Sequence, residues 1–187
     1  MSFATSVASR LLANTTLTCL QLGHAYMGPE SGVALAECLC RNSTVTSVGL
    51  RYNCFGLRGG LAFASLLGVN RTLTFLNLAH NDLKEDVALA LKAPLSTNPV
   101  ITSLILDDST FGPNGSLAVR DALSVNRSLR SLGFLESIAM PIRIRAEIGI
   151  ALERNIEEQE LIVARCTRRY PGAGAASGRF SMGSIAA

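Results

Sequence analysis

Residues 70–78 read NRTLTFLNL, from Asn70 to Leu78. The same frame opens at 14 (NTTLTCLQL), 42 (NSTVTSVGL), 98 (NPVITSLIL) and 126 (NRSLRSLGF). Its leading Asn recurs in steps of 28, and once more at Asn155 after a step of 29. The fourth frame position is always apolar: Leu17, Val45, Leu73, Ile101 and Leu129. So are the seventh (Leu20, Val48, Leu76, Leu104, Leu132) and the ninth (Leu22, Leu50, Leu78, Leu106, Phe134). A gap of two between the last pair predicts a short strand with one buried face, because side chains alternate along extended backbone.

Further along each unit, Leu39, Leu67, Leu95, Leu123 and Leu152 recur, with Leu35, Phe63, Leu91 and Val119 four residues before the first four of them. That spacing predicts an amphipathic helix. Ala34, Ala62, Ala90 and Ala118 are the small residues expected where the helix approaches the sheet. Each unit is thus strand, turn, helix. One unit alone cannot fold. Ordering the backbone costs roughly 1–2 kcal/mol per residue, while about five buried side chains return roughly 1.5–3 kcal/mol each. Stability must come from stacking unit on unit. Strands stack about 4.8 Å apart and helices about 8–10 Å apart. The predicted architecture is therefore an α/β solenoid, right-handed, with a curved parallel sheet inside and helices outside.

The organisation that follows is a capping half-repeat over residues 1–13, where Phe3, Val7 and Leu11 are spaced by four, then five repeats over 14–154. A closing helix is expected over 155–170. Asn155 with Glu158 makes an N-terminal capping signal, and Glu157, Glu158 and Glu160 precede Arg165, Arg168 and Arg169 as a helix dipole prefers. The stretch LIVA, 161–164, also reads as a sixth strand. Residues 171–187 are small and Gly-rich and are expected to be disordered.

Composition narrows the function. The chain has 187 residues, 48% of them apolar, which is too apolar for disorder. The first 164 residues carry 13 basic and 14 acidic side chains, so the body has no polyanion-tracking charge and no nucleic acid is expected. No apolar run approaches the length that spans a membrane, and the first residues lack a secretory pattern. Cys19, Cys38, Cys40, Cys54 and Cys166 are odd in number and form no CxxC pair. A reducing, cytoplasmic setting is expected, with the thiols as apolar filler.

The strand residues not committed to the core form columns across the inner face. The sixth position gives Cys19, Ser47, Phe75, Ser103 and Ser131, and the eighth Gln21, Gly49, Asn77, Ile105 and Gly133. The tenth gives Gly23, Arg51, Ala79, Asp107 and Leu135, and the eleventh His24, Tyr52, His80, Asp108 and Glu136. The expected protein-binding surface comprises Gln21, His24, Arg51, Tyr52, Phe75, Asn77, His80, Ile105, Asp107, Asp108, Leu135 and Glu136. Its first three units are basic and aromatic and its last two acidic. Tyr and Arg are frequent binding anchors. His80, Asp108 and Glu136 share a column, but on an open sheet they are expected to be hydrated rather than to hold a metal. No G-x-S-x-G elbow and no G-x-x-x-x-G-K-[ST] loop occurs, so no enzyme and no cofactor are expected. Asn14, Asn42, Asn70, Asn114 and Asn126 open N-x-[ST] sequons. Four of these are the junction residues themselves, where a left-handed Asn would end a helix, so a structural role is expected.

The pattern resembles the leucine-rich repeat, L-x-x-L-x-L-x-x-N, and the 28-residue period with a full helix resembles its ribonuclease-inhibitor subclass. The later ladder position reads Ala25, Asn53, Asn81, Ser109 and Ser137, so two units keep the Asn that this family uses to cap turn amides. The last unit, LGFLESIAMPIRIRAEIGIALERN, is similar to the closing repeat of the tropomodulin family, through Gly133, Phe134, Pro141, Arg143, Arg145 and Ala146. The fourth unit, LILDDSTFGPNGSLAVRDAL, is similar to the one before it in that family. That family caps the pointed ends of actin filaments, so the resemblance implies actin as a partner and a cytoskeletal place. Its tropomyosin sites lie in an amino-terminal half without a counterpart here. Ran-activating proteins share the repeat subclass, and Arg51 is the one strand-end Arg that could match their essential Arg. The reading from the residues themselves is a monomeric, non-enzymatic scaffold that binds a protein on its inner sheet face.

Overall fold

The protein is described by a computed structural model covering residues 3–133 and 140–169. Leu135, Glu136, Phe134, Ser137 and the 171–187 tail lie outside the described residues. The chain forms two compact units, residues 1–155 and 156–187. The first begins with α1 (Phe3–Leu12) and continues as β1 (Cys19–Gln21), α2 (Pro29–Arg41), β2 (Ser47–Gly49), α3 (Gly56–Val69), β3 (Phe75–Asn77), α4 (Glu85–Thr97), β4 (Ser103–Ile105), α5 (Gly112–Val125) and β5 (Ser131–Gly133). Helix α6 (Ile142–Arg169) begins in the first unit and supplies the described part of the second. In that second part Ile156, Leu161, Ile162 and Val163 are exposed.

The strands form one parallel sheet in chain order, β1-β2-β3-β4-β5. Register advances by one sequence period: Leu20 lies opposite Val48, Val48 opposite Leu76, Leu76 opposite Leu104 and Leu104 opposite Leu132. The ladder continues past the strand ends, with Leu22 N donating to Gly49 O and Leu50 N to Asn77 O, both at 2.8 Å. The apolar frame residues of the second to fourth units are buried, as are Leu35, Leu39, Phe63, Leu67, Leu91, Leu95, Val119 and Leu123. Leu17 is exposed and Leu20 and Leu22 are half-buried, because β1 has a neighbour on one side only.

Two expectations are corrected here. Of the four alanines assigned to the close approach, only Ala118 is buried. The small residues that are needed are Gly32, Gly60, Ala88 and Ser116, all buried and one period apart. A Cβ on Gly60 would stand 2.6 Å from Val87 Cγ2, so helix-to-helix contact, not helix-to-sheet contact, demands the small side chain. The capping signal at Asn155 is not used: α6 runs unbroken through it and through LIVA, which is helical rather than a sixth strand.

The turns between strand and helix carry a second apolar column, Met27, Phe55, Leu83 and Phe111, all buried. They alternate in conformation. In the first and third units a left-handed residue, Tyr26 or Asp82, precedes an extended N-cap, Gly28 or Lys84. In the second and fourth the N-cap is a right-handed Phe55 or Phe111, followed by left-handed Gly56 or Gly112. Each Phe packs against the glycine four residues on in its own unit. A Cβ on Gly59 would lie 2.6 Å from Phe55 Cβ, and one on Gly115 3.1 Å from Phe111 Cβ.

The recurring Asn is the joint between units. At Asn98, Nδ2 donates to Leu67 O (2.7 Å) and Asn70 O (3.3 Å) of the preceding unit. Its Oδ1 accepts from Val100 N and Ile101 N, both at 2.8 Å. Asn42, Asn70 and Asn126 repeat the set. These residues are extended, with φ between −82 and −64°, and not left-handed as expected. At the end of the series Arg154 takes over. Its Nη2 donates to Leu123 O (3.0 Å) and Asn126 O (2.6 Å), the two carbonyls that a further Asn amide would have claimed. Buried Asn155 turns to Leu129 O at 2.7 Å instead.

The helix layer carries a charge network. Lys92 Nζ lies 2.8 Å from Asp121 Oδ2, Arg120 bridges Asp121 (2.5 Å) and Glu147 (3.2 Å), and Arg143 Nε lies 2.9 Å from Glu147. Hydrogen bonds from Lys92 and then Arg120 hold the Asp121 carboxyl below its ordinary range, and those from Arg143 and then Arg120 do the same for Glu147. A lowered folded-state value stabilises above the unfolded value, near about 3.9–4.3, and is lost as pH falls through the folded one. The network's contribution to the melting temperature should therefore be constant from pH 7 to about 5 and be lost below about 4. Asp121→Asn with Glu147→Gln should flatten that acid limb relative to the parent chain; identical limbs would remove the network from the account.

Candidate functional site

The register places each leftover column in line. Backbone hydrogen bonds at the strand ends explain the geometry: His24 N donates to Arg51 O (3.0 Å), Tyr52 N to Ala79 O (3.0 Å) and His80 N to Asp107 O (2.9 Å). Each donor residue is left-handed, with φ of 58, 56 and 55°, and Asp108 follows at 61°. His and Asp tolerate this region better than most residues, while a bulky ring at such a φ is an outlier. Held this way, the side chains meet. His24 stacks on Tyr52 with centroids 4.3 Å apart, and Tyr52 on His80 at 4.1 Å with planes within 5°. His80 Nδ1 lies 3.2 Å from Asp108 Oδ2, so a row of three rings ends on a carboxylate. Stacking across units offsets part of the backbone strain.

Beside this row lies a polar depression. Arg51 is exposed, its stem lies over Gly23, and its guanidinium carbon stands 5.9 Å from the Tyr52 ring centroid. Gln21 is exposed and lies flat across Gly49, where a Cβ would fall 1.8 Å from its Oε1. Asn77 is half-buried and its Oδ1 accepts from Ala79 N at 3.0 Å. Half-buried Phe75 forms the remaining wall. On the acidic side, Ile105 is half-buried, Asp107 and Asp108 are exposed, and Asp107 leans over Gly133, where a Cβ would fall 3.0 Å from its Oδ2.

Ten of the expected surface residues thus fall on one face of the sheet, and Leu135 and Glu136 lie outside the described residues. Among the described residues no group of three His, Cys, Asp or Glu side chains could hold a metal ion, and Glu136, the third member of that column, is not among them. No helix of the described residues is long and apolar enough to cross a membrane. The sequence reading missed the floor of the face: Gly23, Gly49 and Gly133 matter because larger neighbours lie across them. It also missed Tyr26, left-handed and almost wholly exposed two residues after His24. The signal was available, since Tyr26 and Asp82 stand two periods apart in the same turn.

Comparison with known proteins agrees with the fold. The leucine-rich repeat family matches residues 13–36, 41–64 and 69–86. No curated protein sequence matches the chain. A solved structure of the actin-binding site 2 of leiomodin-1 is similar with a TM-score of 0.79 at 22% identity, covering 90% of this chain and 98% of that one. The C-terminal domain of a Caenorhabditis elegans tropomodulin is similar with a TM-score of 0.78 at 21% identity, covering 88% and 99%. Sequence period, parallel register and these likenesses give the chain the leucine-rich repeat fold, an α/β solenoid of about five strand–helix units.

Proposed function

We propose that the chain is a non-enzymatic scaffold that binds a protein partner on the open face of its sheet, as a cytoplasmic monomer without cofactor. The observation that carries this reading is the row His24–Tyr52–His80–Asp108 with Arg51 beside it. Strained, stacked side chains held outside the core contribute little to packing, and such conformations concentrate at functional sites. Residues 1–13 serve on this reading to cover the first unit, as the burial of Ala8 and Leu11 and the bond from Cys38 Sγ to Ala8 O (3.0 Å) support.

A second reading is that the partner is actin and the activity is pointed-end regulation. The likeness to the leiomodin-1 actin-binding site 2 favours it. One set of measurements addresses both. Arg51→Glu with Tyr52→Ala should abolish capture of a partner in a pull-down and leave the melting curve in place; unchanged capture would move the site elsewhere. In parallel, the parent chain at micromolar concentration should slow pyrene-actin elongation from capped seeds if actin is the partner. No slowing excludes pointed-end regulation and leaves the scaffold reading intact.

A further inference from the structure

We infer that the depression around Arg51 is a carboxylate notch, which receives a Glu or Asp side chain of an extended protein segment laid across the strands. The inference rests on the sheet-face reading above and names the chemistry of its partner. Among the described residues Arg51 has no ion-pair partner within reach, although its stem is laid down over Gly23. The guanidinium is a rigid, planar donor fork that matches a carboxylate. Asn77 is oriented by the bond that its Oδ1 accepts from Ala79 N, so its amide hydrogens remain to donate. His24 brings a ring edge to the same depression, and Phe75 an apolar wall for the stem of the incoming residue.

The chemistry to either side decides between an acidic side chain and a longer polyanion. Moving along the Arg51 column, the next units offer Ala79 and then Asp107, with Asp108 beside it. A nucleic acid or polyphosphate following the columns would run from one cation into two carboxylates, and binding of that kind needs several cations in line. A protein segment does not meet this obstacle. Two strand spacings separate Arg51 from Asp107, about 9.6 Å. A segment in the polyproline-II conformation covers about 9.3 Å in three residues and returns its side chain to the same face. The segment that fits therefore carries an acid followed by a Lys or Arg three residues on, in the orientation that sets the acid on Arg51 and the base on Asp107. Asp108 is not free for this purpose to the same degree, since His80 holds one of its oxygens at 3.2 Å.

The test uses the whole chain and a defined probe, the peptide acetyl-SEFSKS-amide, against its Glu-to-Gln version. Nitrogen-15 spectra resolve the side-chain amide of Asn77 and the Nε–H of Arg51. The expected result is a saturable shift of both signals with the Glu peptide, about ten-fold weaker binding with the Gln peptide, and a similar loss in Arg51→Gln. Asp107→Asn should weaken binding of the Lys-bearing peptide and spare a Ser-for-Lys version. Equal binding of the Glu and Gln peptides, unshifted Asn77 and Arg51 signals, or full binding by Arg51→Gln overturns the notch. The two readings fail separately. If Arg51→Glu with Tyr52→Ala loses its partner while the peptide leaves Asn77 unmoved, the notch is wrong and the sheet-face reading stands. If capture survives that double change, the sheet-face reading falls whatever the peptide does.

Discussion

Asn98→Ala is expected to cost about 3–5 kcal/mol of folding stability, more than most single substitutions. The side chain is almost wholly buried and makes four hydrogen bonds, two to the preceding unit and two within its own. Truncation leaves two carbonyls and two amides without a partner, and an orphaned buried polar group costs about 1–3 kcal/mol. Water entering the gap recovers part of the loss, which sets the range below the full sum. Asn14→Ala is the matched control. Asn14 is only half-buried, and its Oδ1 accepts from Thr16 N (3.1 Å) and Leu17 N (2.7 Å) at the first unit. Its loss should stay near about 1 kcal/mol, as for an ordinary cap. Urea unfolding of both variants checks the contrast; a loss at Asn98 no larger than at Asn14 would show that the joints between units do not rest on these amides. Because units couple only to their neighbours, Asn98→Ala should also broaden the transition.

Phe63→Ala is expected to cost about 3–5 kcal/mol. Phe63 is fully buried in the middle of α3, with its ring tilted 46° against Phe55 at 5.3 Å between centroids. Removing it leaves a void that helices on both sides, α2 and α4, cannot close without moving backbone. Phe63→Leu restores most of the volume and should lose only about 1 kcal/mol. Guanidinium unfolding distinguishes the two; equal losses would mean that the core relaxes around the missing ring and that packing there is not specific.

The period made the fold legible. Val48, Leu76 and Leu104 were readable as core because a strand two residues wide must bury the same column in every unit, and they are buried. What the residues alone did not disclose was why the Asn recurs. A left-handed helix ending and a side-chain joint both favour Asn, and only the extended backbone at Asn98 and its bonds to Leu67 and Asn70 separate them. The Ala34 column misled for a related reason: small residues mark close approach, but the sequence does not say which neighbour approaches. Of the face, the columns were legible and the left-handed backbone at Tyr52 was not, because nothing in a Tyr announces a positive φ.

The alternating turns have a consequence for how such a chain can lengthen. Left-handed Tyr26 and Asp82 mark one kind of turn, and left-handed Gly56 and Gly112 the other, so the modules come in two sexes that meet only their opposites. Copying a single module would set two turns of the same kind shoulder to shoulder, a juxtaposition that occurs nowhere among the described turns. Copying a couple would pass unnoticed by the neighbours. On this alternation the couple is the repeating unit of the architecture, and chains that keep it should differ in length by even steps.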